Sequence, residues 1–100
     1  MFIAMNRFKI NLGREEDFEA IWRNRDSYLS EVPGFQKFNL VRGTTNDEFT
    51  LYASHATWDN RKVFEDWTHS DSFNKAHAGA GANRDIYQGA PNFEGFDVVL

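Results

Sequence analysis

The stretch FQKFNLVRGTTNDEFTLYASHATW, Phe35 to Trp58, holds two runs of strand-forming residues on either side of Thr44-Thr45-Asn46-Asp47. Four short polar residues suit a tight reversal, so residues 35–43 and 48–58 pair as an antiparallel hairpin. What flanks the hairpin decides the fold. Before it, FIAMNRFKIN alternates, with Phe2, Ala4, Asn6, Phe8 and Ile10 on one face and Ile3, Met5, Arg7 and Lys9 on the other. Gly13 stops that strand, and Glu15, Glu16 and Asp17 suit the first turn of a helix through its dipole. The helix is expected to run to about Ser30, with Phe18, Ile21, Trp22 and Leu29 at core spacing, until Pro33-Gly34 ends it.

After the hairpin, Asp59 is the expected N-cap of a helix carrying Val63, Phe64 and Trp67. Ser70 or Asp71 caps a second short helix with Phe73, Ala76 and His77, followed by the small-residue run AGAGAN at 78–83, which suits a mobile flap over a site. NFEGFDVVL then returns as a strand. The order is β-α-β-β-α-β. Right-handed crossovers put both helical segments on one face of a four-stranded antiparallel sheet, an α+β, ferredoxin-like split βαβ arrangement. The opposite face, expected to carry Phe2, Phe8 and apolar residues of later strands, needs a cover. A second copy supplies it, giving a homodimer in the form of a dimeric α+β barrel, built from one domain over residues 1–100.

Composition narrows the function. The net charge is −4 with no basic block, which argues against a nucleic-acid partner. No cysteine is present, so thiolate nucleophiles and cysteine metal sites are excluded. The N-terminus lacks the pattern of a signal peptide and no run is long enough for a membrane span, so a cytoplasmic protein is expected. Neither a Gly-x-Ser-x-Gly elbow nor a His-Glu-x-x-His pair occurs, and the glycines of AGAGA follow no strand. Ten Phe, three Trp and three Tyr in 100 residues supply more rings than an ordinary core needs. They point to a flat apolar cavity or a dimer face as well.

Several polar residues sit where apolar ones belong. Asn6 lies on the buried-face parity of the first strand, and Arg25 continues the apolar stripe of the first helix, either snorkelling to water or facing an anionic ligand. His55 shares parity with Phe49, Leu51 and Ala53, as a lining histidine does, and His69 falls in the break between helices. His77 ends a short helix; by itself it reads as a surface residue. In FEDWTHSDSFNKAH a continuous helix would rotate Trp67 and His77 roughly 80° out of register, whereas a break at Thr68-His69-Ser70-Asp71 lets both face one pocket.

Asn6 together with Trp67-x9-His77 resembles the residue set of IsdG-type heme-degrading monooxygenases, a branch of the antibiotic-biosynthesis-monooxygenase superfamily, whose fold is the dimeric ferredoxin-like barrel. The resemblance covers nearly the whole chain. It implies that His77 is the axial ligand to heme iron, leaving the opposite position open to dioxygen. It further implies that Asn6 donates a hydrogen bond on that distal side, that Trp67 presses the macrocycle out of plane, and that Arg25 contacts a propionate. Trp22, Phe64 and Phe73 would line the cavity. Heme would be both substrate and cofactor, dioxygen the co-substrate, and an electron-donor protein or small reductant an outside partner. The short Ala/Gly-rich segment after His77 departs from the best-known branch. Two other readings use the same barrel: a cofactor-independent monooxygenase of quinols or polyketides, and a non-enzymatic heme-binding dimer.

Overall fold

The computed structural model describes residues 1–24, 29–70 and 85–100. The first strand, β1 (Phe2–Asn11), turns at Gly13, whose φ of 86° is open to glycine at little cost, into helix α1 (Glu15–Asn24). Glu15 ties this start together. One carboxylate oxygen accepts from the Gly13 amide at 2.9 Å and the other from the Thr50 hydroxyl at 2.7 Å, and these bonds hold its pKa below the usual range. A 3-10 turn (Leu29–Glu31) leads to β2 (Phe35–Thr45), which pairs with β3 (Phe49–Trp58). The reversal is fixed by Asn46, whose side-chain oxygen accepts from the amides of Glu48 and Phe49. Helix α2 (Arg61–Thr68) and β4 (Asn92–Asp97) complete the chain.

The sheet order is β2-β3-β1-β4, with each neighbouring pair antiparallel. This is the ferredoxin-like order the hairpin and its flanking helices imply. Three expectations change in detail. Leu29 and Ser30, expected in the first helix, lie in the 3-10 turn, and Leu29 packs in the cluster under α2. Asn60, not Asp59, caps α2, accepting from the Val63 amide at 3.0 Å, while Asp59 accepts from the Gln36 side chain. Phe2 and Phe8 do not lie on the face opposite the helices. They share the parity of Asn6 and are buried beneath α2 and α1, because ring-to-ring packing with Phe64 and Phe18 hides them more fully than an open sheet face can.

Two aromatic clusters form on the helix side. Under α1, Phe18 packs on Phe8 and Tyr52, with Ile10 and Ile86 completing the group. Under α2, Phe64 and Trp67 pack on Phe2 and Trp58, with Leu29 beside them. Gly34 seats α2 against the turn before β2: its φ is 86°, and a Cβ there would lie 2.7 Å from the Val63 side chain. Gly34→Ala combines backbone strain with overpacking, and a loss of ~2–4 kcal/mol is expected. Urea denaturation checks it; an unchanged midpoint would show that α2 can shift freely over β2.

Candidate active site

The helix-facing side of the sheet reads as four cross-strand rows. Phe35, Trp58, Phe2 and Asp97 form the first, and Phe38, Ala56, Ala4 and Gly95 the second. Leu40, Ser54, Asn6 and Phe93 form the third, and Arg42, Tyr52 and Phe8 the fourth. The α2 cluster stands on the first row and the α1 cluster on the fourth, ~20 Å apart at three steps of two strand residues each. Between them half of the positions are small, Ala4, Ala56, Ser54 and Gly95, and the Phe2 ring lies over Gly95. Asn6 is the one amide on this floor. It is half-buried, and among the described residues its carboxamide makes no side-chain hydrogen bond.

Aromatic rings wall the floor on both sides. Trp22 of α1 stacks on Phe38 of β2 at 5.6 Å and 15°, and meets Phe8 edge-on at 5.8 Å. From α2, Trp67 lies 5.3 Å from Trp58, and Phe64 stacks on Phe93 at 5.6 Å and 4°. The Trp58 indole N–H is buried with no hydrogen-bond partner among the described residues. After Trp67 the helix stops as expected: His69 is its C-cap, and the Ser70 amide and hydroxyl both donate to the Trp67 carbonyl, at 2.9 and 2.6 Å.

A cavity of about 410 Å³ opens over the β2 side of these rows, between Trp22 and Arg23 of α1 and Phe38, Leu40 and Arg42 of β2. Leu40 and Asn6 share one row two strands apart, ~10 Å at 4.8 Å per strand. Tyr52 and Glu19 also line the cavity. The buried Tyr52 hydroxyl donates to Glu19, and burial, followed by that carboxylate, raises its pKa to about 12, so it stays a proton donor at any physiological pH.

Of the residues singled out in the sequence, Asn6, Trp22, Phe64 and Trp67 all lie on this side of the sheet. Arg25, Phe73 and His77 lie outside the described residues, as do the expected second short helix and the 78–83 run. His55 falls on the opposite face, across from Met5 and Asn39, and His69 is exposed. Sequence reading missed Phe38. Phe35 and Phe38 are three apart, so strict alternation separates them, but a register shift between Phe35 and Lys37 returns both to the helix side. It also missed Glu19, Arg42 and Tyr52, whose meeting joins α1, β2 and β3. Among the described residues no group of three or more His, Asp or Glu side chains could hold a metal ion, and no helix is long and apolar enough to cross a membrane.

A four-stranded antiparallel sheet with an aromatic-walled floor under two helices defines a ferredoxin-like α+β domain. The chain belongs to the antibiotic biosynthesis monooxygenase family, whose model matches residues 1–79. A heme oxygenase (mycobilin-producing) of Mycobacterium tuberculosis is 29% identical over 98 residues, covering 98% of this chain and 89% of its own. A heme oxygenase (staphylobilin-producing) of Staphylococcus haemolyticus is 29% identical over 77 residues, covering 77% and 73%. Among solved structures, the heme-degrader MhuD from M. tuberculosis, with two hemes bound in its active site, superposes with a TM-score of 0.78 at 26% identity, covering 100% of this chain and 97% of its own. SnoaB of Streptomyces nogalater, a cofactor-independent oxygenase, superposes with a TM-score of 0.70 at 20% identity, covering 99% and 93%, and shares the fold.

Proposed function

We propose that this protein is a heme-degrading monooxygenase that opens the porphyrin ring and releases iron, using dioxygen and an external reductant. The observation that carries the reading is the half-buried Asn6 carboxamide, without a side-chain partner among the described residues, on a floor of small residues between Trp22 and Trp67. The named activities of the relatives at 29% identity support it.

The residues present fit a heme. The floor carries small side chains at Ala4, Ala56 and Ser54, and the walls are rings that stack on a conjugated macrocycle. When bound, heme supplies both the iron that binds dioxygen and the carbon skeleton that is oxidised. The chain's own part is positioning. Trp22, Phe64 and Phe73 would hold the ring by apolar burial, and Trp67, braced by Trp58, would press on its face. Asn6 would donate a hydrogen bond into the pocket, His77 would hold the iron, and Arg25 would meet a propionate. One domain of 100 residues carries the whole set.

Titration with hemin tests this. A stoichiometric, sharpened Soret band is expected, followed by its loss with release of iron when a reductant is added in air. No Soret change would favour the cofactor-independent oxygenase reading, and a stable band after reduction would favour a heme-binding dimer. The working unit is proposed to be a homodimer. The face opposite the helices exposes Val41 at 44% and Phe96 at 42% beside half-buried Ile3, Met5 and Leu51, and a partner sheet would cover them. Burial above ~1,200 Å² is expected, and sedimentation at micromolar concentration showing only monomer would refute it.

A further inference from the structure

The cavity beside the Trp22–Phe38 stack has a charged mouth that the proposed reaction does not use. Arg23 and Arg42 stand there with Glu19 between them, two cations against one anion in a chain whose net charge is −4. The pairing is loose. Arg42 Nη1 lies 3.9 Å from Glu19 Oε2 and Arg23 Nη2 lies 4.0 Å from Oε1. Both are beyond the roughly 3.2 Å reach of an N–H···O bond. Neither guanidinium makes another hydrogen bond among the described residues. Glu19 is already engaged by the Tyr52 hydroxyl, which directs its carboxylate toward the sheet. The mouth therefore presents two planar forks with unused donors, the geometry that receives a carboxylate in bidentate fashion.

We propose that Arg42, assisted by Arg23, is the recognition site for a carboxylate carried on the edge of a planar conjugated ligand, with Glu19 as the internal competitor. The ring of such a ligand enters along Trp22, Phe38 and Leu40, and its acid group ends at the arginines. Glu19 keeps its hydroxyl bond to Tyr52 in either case, so the exchange leaves no buried group unpaired. The inference rests on the heme reading in one respect: the acid is taken to be a porphyrin propionate.

Metal-free protoporphyrin IX and its dimethyl ester separate this site from iron ligation, with quenching of tryptophan fluorescence as the readout. The parent protein is expected to bind the diacid about five- to tenfold more tightly than the ester at low salt. Arg42→Gln should reduce that preference to within about twofold while binding the ester as the parent does. Glu19→Gln should strengthen the diacid by a few-fold, an effect that fades as salt is raised and that a merely structural role for Glu19 does not produce. Retention of the full diacid preference in Arg42→Gln overturns the subsite but leaves the heme reading standing. Failure of the parent to bind either porphyrin overturns both.

Discussion

His77→Ala is expected to abolish turnover while the protein still takes up porphyrin. The two halves of this result come from different parts of the molecule. Uptake is apolar burial against Trp22, Phe38 and Phe64, at ~25 cal/mol per Å² of ring surface, and none of those side chains is altered. Ligation is a single bond from one imidazole. With it gone, the Soret band of added hemin should move, and ring opening should fall below detection. Imidazole added to the variant should restore the parent's band position, because a free ligand can occupy the space the side chain leaves. A variant that binds and degrades heme like the parent would remove His77 from the axial role. The next histidine to test would then be His69 at the C-cap of α2, close in sequence to Trp67. His55 is the poorer substitute, since it projects from the other face of the sheet, away from Asn6.

The fold was legible because its signals are local and agree with one another. The alternation of β1, the Asn46 reversal and the Gly13 and Gly34 breaks each name one boundary, and together they admit one topology. The faces were harder. Parity says which residues travel together, not which set meets the helices, and Phe2 and Phe8 could be assigned only once α1 and α2 were seen to pack on them. The N-cap shows the same limit on a smaller scale. Asp59 and Asn60 are equally good caps in isolation, and the Gln36 contact from β2 takes Asp59 out of contention.

Asn6, Trp22, Phe64 and Trp67 were legible in a different way, either as a polar residue out of pattern or as large rings at helix spacing. Phe38 was hidden by the register shift beside Gln36, which no composition rule marks. The group of Glu19, Arg23, Arg42 and Tyr52 was hidden because its members are 33 residues apart in the case of Tyr52 and Glu19, and each alone reads as an ordinary surface or core residue. Long-range convergence of ordinary residues leaves no periodic trace in a chain. It becomes visible only when the sheet order puts β2 and β3 next to each other under α1.

Asn6→Ala is expected to leave heme affinity within about threefold of the parent and to slow ring opening by ~10²-fold or more. The contrast follows from where the carboxamide sits. It pairs in register with Ser54 and Phe93 and makes no side-chain hydrogen bond among the described residues, so its removal breaks no hydrogen bond among them. A donor in that place acts when negative charge develops above the floor, and interactions made late in a reaction change rate more than affinity. Trp67→Ala provides the comparison. Trp67 packs on Trp58 and Phe64, so its loss costs packing as well as ring distortion, and the variant should melt lower and yield altered products. Trp67→Phe restores much of that packing and isolates the effect on ring shape, read by the out-of-plane modes of the resonance Raman spectrum. Hemin titration and single-turnover kinetics on the Asn6 variant decide the assignment. If affinity and rate fall together, Asn6 belongs to binding; if neither falls, the distal donor lies elsewhere on the floor, with Ser54, its cross-strand neighbour, next in line.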